Sequence, residues 1–178
     1  MKDLFGNDVD DTDEVEKYLA EMDKETIQAR AANLNYVISI APEHGLMMPH
    51  ESFLVLTEAR DAFVNGLHVA TVMLAQALIE HRLQIFMNSI GEHDAASRGV
   101  SAIIKRLQII RPQHAFILER VDRLRAFRNP FTHLKPFQHE HTIGQVSLRT
   151  RQHPNEVLYH RSKEALALMY TVATMDLQ

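Results

Sequence analysis

The most apolar stretch of the chain lies near its middle and reads Val69-Ala70-Thr71-Val72-Met73-Leu74-Ala75-Gln76-Ala77-Leu78-Ile79. Only a threonine and a glutamine interrupt it, so that apolar side chains occupy almost every side of a helix, as in a helix buried at the centre of a bundle. The stretch is too short to cross a bilayer, which requires about 20 apolar residues. It therefore predicts an all-α protein, not a membrane protein, around a central helix from about Gly66 to Asn88.

Helical periodicity continues on both sides of this segment. Apolar residues three or four positions apart predict five further helices, which start near Asp11, Pro49, Ala95, Pro112 and Ser162. The links between them are mostly short, and the pattern predicts an up-and-down helical bundle.

The region 137–159 departs from this periodicity. Residues Thr142 to Thr150 alternate partly between apolar and polar side chains, as the residues of a strand do. We predict a short irregular or β-hairpin excursion here, within an otherwise helical chain.

Charge is distributed unevenly along the chain. The formal net charge is −4, but residues 1–60 carry 13 acids and 5 bases, whereas residues 98–163 carry 4 acids and 13 bases. We predict an acidic N-terminal arm or helix over residues 1–48 and a helical bundle over residues 49–178. The basic segment can attract phosphate although the whole chain is acidic. In an alternative interpretation, the acidic arm pairs with the basic face of the same chain.

Composition also limits the class of protein. The chain has no cysteine, which excludes disulfides and thiolate metal sites. Residues 1–10 lack the basic start and apolar stretch of a signal peptide, and we predict a soluble, cytoplasmic protein. His139-Glu140-His141 carries ligand-type side chains, but alternate residues share a face only on a strand. We therefore predict neither a metal nor another cofactor.

The candidate functional segment lies near the end of the fifth predicted helix and reads Arg128-Asn129-Pro130-Phe131-Thr132-His133. Proline cannot continue the helical hydrogen bonds and pushes the preceding residue out of helical geometry. We therefore expect the helix to stop or kink at Arg128-Asn129, with Asn129 as the N-cap of a new turn. Arg128 and His133 would then point the same way across the kink.

An arginine and a histidine so placed suit phosphate chemistry. The guanidinium group stays charged and its fork of donors matches phosphate oxygens. The imidazole takes or gives a proton near neutral pH. RNA supplies its own nucleophile, the 2′-hydroxyl, so that a base and a cation suffice for cleavage without a metal.

This segment resembles the Arg-x4-6-His motif of the HEPN superfamily (higher eukaryotes and prokaryotes nucleotide-binding domains). A polar residue often follows the arginine in that family, as Asn129 does here. Upstream, residues 58–70 and 78–80 resemble the early helix pair of the family. The resemblance runs from about Glu51 to the C-terminus and leaves residues 1–48 outside.

The resemblance implies a helical-bundle homodimer in which two copies of the motif face each other. Many members are metal-independent RNases of toxin–antitoxin, phage-defence or RNA-processing systems, while others bind nucleotides or have lost catalysis. By position, Arg128 would hold the scissile phosphate, His133 would be the acid/base and Asn129 would shape the turn. Glu80 resembles an acid that some members place near the motif, where it would orient Arg128. RNA and an antitoxin or other protein are the implied partners.

Other arginines are candidates for RNA or phosphate binding, namely Arg120, Arg123, Arg125, Arg149 and Arg151. The alternative is a solvated helix face with intrahelical pairs such as Glu119 with Arg123. In the same way, Arg128 and His133 could simply tie down a kinked helix, with Glu80 paired to a structural arginine. Two hypotheses thus remain open, namely a metal-independent endoribonuclease and a non-catalytic helical module that binds RNA, nucleotide or protein, such as a dimeric regulator.

Overall fold

The computed structural model describes residues 12–177, with side chains from Glu14, and every regular element in this part of the chain is helical. The elements are α1 (Thr12–Ile40), α2 (His50–Val64), α3 (His68–Ser89), α4 (His93–Ser97), α5 (Val100–Ile110), a 3₁₀ turn (Pro112–His114), α6 (Ala115–Thr132), α7 (Ile143–Thr150) and α8 (Pro154–Thr174). The prediction of an all-α bundle is confirmed. The acidic residues that precede Thr12, including the predicted helix start at Asp11, lie outside the described residues.

The central helix of the bundle is α3, as its apolar sequence predicts. It packs most extensively against α2 and α8 and also meets α4, α5 and α6. Its fully buried side chains recur every three or four residues, at Val72, Ala75, Ile79, Leu83 and Met87. Within residues 12–177, no helix has both the length and the apolar character needed to cross a membrane.

Only the C-terminal part of α1 packs onto the bundle. Val37 is fully buried, and the side-chain amide of Asn33 donates to the carbonyl of Phe63 in α2 at 3.1 Å. The Tyr36 hydroxyl donates to the carbonyl of Lys163 in α8, also at 3.1 Å. These contacts fix the last turns of α1 against α2 and α8.

The preceding part of α1 is exposed at every position from Glu14 to Ala29. Apolar residues recur at helical spacing along α1, but most of them stay at the surface of the described chain, namely Val15, Leu19, Met22, Ile27, Leu34 and Ile38. The periodicity correctly indicates an amphipathic helix, but the apolar face of this part of α1 has no partner among residues 12–177.

The single helix predicted from Ala95 to Ile110 is wrong because Gly99 divides it. Gly99 has φ +85° and ψ 175°, a conformation that is almost restricted to glycine. The short α4 therefore ends at Ser97, and α5 begins at Val100. No atom lies within 4 Å of the position that a Cβ would occupy on Gly99. The backbone conformation, and not close packing, therefore requires glycine here.

The predicted β-hairpin in region 137–159 is also wrong. Residues 133–142 are irregular, but α7 then forms where the alternating pattern predicts a strand, and the described chain contains no strand. The Thr142 hydroxyl caps α7 by accepting from the N–H of Gln145 at 3.5 Å, and Val146 is buried beneath the helix. A threonine followed three residues later by glutamine is a helix-start signal that outweighs the short alternation.

The last helix begins two turns earlier than predicted, at Pro154 instead of Ser162. Proline suits the first position of a helix, and Nδ1 of His153 accepts from the N–H of Asn155 at 3.3 Å to cap it. The earlier start matters for the site because it places Arg161 on a regular helix beside α6.

Candidate functional site

The helix α6 carries the Arg128–His133 segment and continues through Pro130 to Thr132. The helix therefore does not stop at Arg128-Asn129, and the prediction that Asn129 is the N-cap of a new turn is wrong. Pro130 lies in the last turn, where its missing N–H removes a single bond to the preceding turn. Phe131 packs against Phe127 with ring centroids 5.6 Å apart, which holds this turn onto the core.

Arg128 and Glu80 form the central contact of the site. A terminal nitrogen of Arg128 lies 2.8 Å from Oε1 of Glu80 in α3, and both side chains are largely removed from solvent, with 19% and 24% exposed. The amide of the buried Gln76 donates to the same Glu80 oxygen at 3.0 Å. The other terminal nitrogen of Arg128 lies 3.4 Å from the Thr132 hydroxyl. Two charged groups from two helices thus hold each other in one orientation.

His133 ends α6 and differs in character from Arg128. Its backbone N–H donates to the carbonyl of Asn129 at 2.9 Å, and its φ of −135° and ψ of 123° lead the chain into the irregular residues 133–142. The imidazole is exposed and forms no hydrogen bond with another described residue. Asn129 takes part through its backbone carbonyl. This carbonyl accepts the hydrogen bond from the His133 N–H and a second one from the Thr132 hydroxyl, at 3.1 Å.

The arrangement provides two chemical functions from residues that are five positions apart. Glu80 fixes the guanidinium of Arg128, which retains donors for an anion. The exposed His133 can exchange protons with a bound molecule or with water. A single protomer therefore offers a guanidinium held in place and an accessible acid/base group. Among residues 12–177, no third group forms a hydrogen bond that orients the imidazole.

The other predicted arginines do not form one cluster. Arg125 is tied to Asp122 on its own helix at 2.8 Å, while Arg149 and Arg151 lie exposed on α7 and at its C-cap. Arg123 is exposed and makes no ion pair with Glu119 among the described residues. The alternative of intrahelical pairing thus applies to Arg125 and not to Arg123.

Two of these arginines, Arg120 and Arg123, line a cavity of about 210 Å³ between α6 and α8. The two helices contribute matching faces, each with the spacing i, i+3, i+4, i+7. The lining residues are Arg120, Arg123, Leu124 and Phe127 from α6 and Arg161, Glu164, Ala165 and Leu168 from α8. Sequence reasoning missed Arg161 because the last helix was expected to start after it, and it assigned no role to Glu164, which lies within the predicted helix. Pro154 is the signal that could have found Arg161.

The histidine-rich stretch after α6 does not form a metal site. His139 and His141 have ring centroids 5.6 Å apart, and Nε2 of His141 lies 3.5 Å from a carboxylate oxygen of Glu140. Among residues 12–177, no three His, Cys, Asp or Glu side chains come together in a way that could hold a metal ion.

A second polar cluster joins α3 to α8 away from Arg128. Nδ1 of His68 lies 3.0 Å from the hydroxyl of the fully buried Ser162, and the imidazole packs beside the rings of Phe63 and Tyr159. Burial lowers the pKa of His68 below its usual value. Ser162 also donates to the Tyr159 carbonyl at 2.8 Å, so that this pair has the character of a core contact.

The site thus consists of a fixed Arg128–Glu80 pair, an exposed His133 and, on the neighbouring surface of α6, a cavity lined by arginines. Arg149 and Arg151 do not line that cavity. Comparison of the chain with models of known protein families, with curated proteins and with solved structures finds no match.

Proposed function

We propose that this protein is a metal-independent endoribonuclease of the HEPN type that works as a homodimer, in the manner of toxin–antitoxin or phage-defence nucleases. The observation that carries the proposal is the contact of Arg128 with Glu80 at 2.8 Å, one turn before the exposed His133. A cation that is already held in place loses little conformational entropy when it binds a phosphate.

In the proposed reaction, His133 removes the proton of a ribose 2′-hydroxyl. The resulting oxygen attacks the adjacent phosphorus, and Arg128 binds the non-bridging phosphate oxygens as charge develops on them. The bond to the 5′-oxygen breaks, and that oxygen takes a proton from the imidazolium of the facing copy. The products are a 2′,3′-cyclic phosphate and a 5′-hydroxyl. Glu80 acts through Arg128 as a positioning residue.

The exposed part of α1 supports the proposal of a homodimer. Val15, Leu19 and Met22 follow one another at helical spacing, and each is about half exposed. The only ion pair in the described part of α1 joins Asp23 to Arg30 of the same helix, so that its other described acids form no ion pair with the basic residues of α5, α6 or α7. A second copy would offer both an apolar surface and the basic segment as a partner.

Cleavage of RNA in the presence of EDTA tests the enzyme directly. Removal of the acid/base group in His133→Ala should reduce the rate by about 10²- to 10⁴-fold. Arg128→Gln should be similarly damaging, and the double variant little worse than either single one, because both groups serve one step. His160→Ala removes an exposed histidine of α8 from outside the site and is the matched control, with an unchanged rate.

The enzyme proposal fails if the wild type and His133→Ala are equally inert towards RNAs of varied sequence and structure and also equally harmless to cell growth on expression. It also fails if His160→Ala loses as much activity as His133→Ala, because the histidine at the end of α6 would then have no special role.

The alternative is a non-catalytic module that binds RNA or nucleotide. The arginine-lined cavity between α6 and α8 favours this alternative because it lies on a different surface from His133 and needs no acid/base group to bind an anion. RNA binding that weakens with salt and survives His133→Ala, without cleavage by the wild type, would replace the enzyme proposal with this one.

A further inference from the structure

The cavity between α6 and α8 has the properties of a binding site in its own right. Its lining includes three arginines and one glutamate, namely Arg120, Arg123, Arg161 and Glu164, together with apolar residues of both helices. We propose that this cavity binds a phosphomonoester, that is, a terminal phosphate group such as that of a nucleotide or of an RNA end. The proposal does not depend on cleavage at His133.

The helices present the arginines to a common space. Arg120 and Arg123 are one turn apart on α6, with Leu124 and Phe127 on the same face. Arg161 approaches from α8, and its guanidinium lies over the Phe127 ring at 5.5 Å from the ring centroid. Cation–π contact of this kind holds a guanidinium in place without using its hydrogen-bond donors.

The charge of the cavity is not neutralised by the described protein. Arg161 pairs with Glu164 at 2.8 Å, but Arg120 and Arg123 form no ion pair with another residue in the range 12–177. Arg120 instead lies over the Phe116 ring, 6.0 Å from its centroid. Two arginines thus line the cavity without a counter-ion among the described residues.

This excess of two charges indicates the class of ligand. A phosphomonoester carries about −1.5 to −2 charges near neutral pH, whereas a carboxylate carries one. Arginine forks match phosphate oxygens in pairs, and several of them can share one phosphate. The apolar floor of Leu124 and Leu168 gives an attached group a surface to rest on, within a cavity of about 210 Å³.

Calorimetric titration of the full-length protein tests the proposal. The probes are inorganic phosphate, adenosine 5′-monophosphate, adenosine, and a short RNA with either a 5′-phosphate or a 5′-hydroxyl. Phosphate and the monophosphate should bind saturably, and adenosine should not. The RNA pair shows whether an RNA end or a free nucleotide is the better ligand, since both carry the same terminal group. A mononucleotide has no internucleotide bond, so that failure of this experiment and failure of the nuclease proposal are separate results.

Variants locate the binding in the cavity. Arg123→Gln and Arg120→Gln should each weaken phosphate binding roughly tenfold, because each removes a charge-assisted hydrogen-bond donor. Glu164→Gln should tighten binding roughly two- to fivefold, since it frees Arg161 from its pair. Lys105→Gln changes the net charge by the same amount as Arg123→Gln but lies exposed on α5, outside the cavity, and it should leave the affinity unchanged. Circular dichroism melts verify that each variant is folded.

The proposal is overturned if no probe binds saturably up to the millimolar range, or if adenosine binds as tightly as its monophosphate. It is equally overturned if Lys105→Gln weakens binding as much as Arg123→Gln, because the effect would then come from net charge alone. A Glu164→Gln variant that binds phosphate more weakly than the wild type would contradict the assigned geometry.

Discussion

Arg128 and Glu80 are paired across two helices in a partly buried environment, where the loss of one partner leaves the other charge poorly solvated. The Glu80 carboxylate also accepts from Gln76, which is fully buried in α3. The pair therefore links the candidate site to the core of the bundle.

A double-mutant cycle at this pair should reveal that coupling. We expect Glu80→Gln and Arg128→Gln each to lower the free energy of unfolding by about 1–2 kcal/mol, and the double variant to lose less than the sum of both. The measurement is urea unfolding at neutral pH. Arg98→Gln breaks an exposed pair with Asp94, with 69% and 77% of the two side chains exposed, and should cost no more than about 0.5 kcal/mol. Additive losses at Glu80 and Arg128 would show that the two charges do not interact.

His68 should make the stability of the fold depend on pH. Its pKa is lower in the folded chain than in the unfolded one because it is partly buried beside Ser162, Phe63 and Tyr159. The unfolded chain therefore binds more protons as the pH falls through the usual histidine value, and the free energy of unfolding falls with it. His68→Gln should flatten this fall, and the exposed His160→Gln should not. Equal pH profiles for the wild type and His68→Gln, recorded by thermal melts between pH 5 and pH 8, would contradict this origin.

The contacts of a single residue were predictable from the sequence where its charge requires a partner of opposite charge. Glu80 is an acid on an apolar helix, and that anomaly alone points to a buried cation such as Arg128. The exposure of His133 was less predictable, because it depends on whether α6 ends before or after Pro130. Arg161 could not be placed at all without the correct start of α8.

At the level of elements, the positions of helix breaks depend on backbone conformation more than on apolar periodicity. Val100, Ile103, Ile104 and Leu107 are buried as the periodicity predicts, but the same periodicity cannot show that Gly99 adopts a positive φ. Pro130 shows the opposite case, since a residue that usually breaks helices is accommodated in the last turn of α6.

Gly99 provides a direct test of this point. Gly99→Ala should lower the free energy of unfolding by about 1–3 kcal/mol, because a Cβ is strained at φ +85° although no atom blocks it. Gly45 also has free space around its Cβ position but no positive φ, and Gly45→Ala should change the free energy by less than about 0.5 kcal/mol. Thermal unfolding of both variants decides the matter. Equal effects would mean that the conformation of Gly99 does not separate α4 from α5.

At the level of the whole molecule, α1 is the helix whose first part the described residues leave uncovered. Residues 14–29 are all exposed, and they include apolar side chains that the sequence alone would place in a core. Periodicity predicts that a helix has an apolar face, but it cannot say whether that face meets its own bundle or another molecule. The central position of α3 was predictable because apolar residues occupy almost every side of its segment from Val69 to Ile79.

If α1 contributes to a homodimer, uncharged polar substitutions on its apolar face should shift the protein towards monomer. We expect Leu19→Gln combined with Met22→Gln to weaken association at least tenfold in analytical ultracentrifugation, without a change in helix content. Leu148→Gln removes an equally exposed leucine from α7 and should not affect association. A wild-type protein that is monomeric at all concentrations would contradict the proposed dimer.

The most direct measurement of the proposed function is mass spectrometry of RNA incubated with the protein in EDTA. The proposed mechanism predicts fragments that end in 2′,3′-cyclic phosphate and begin with a 5′-hydroxyl, formed by the wild type and not by His133→Ala. Fragments with 3′-hydroxyl and 5′-phosphate ends, or identical fragments from His133→Ala, would contradict the assignment of His133 as the base that activates the 2′-hydroxyl.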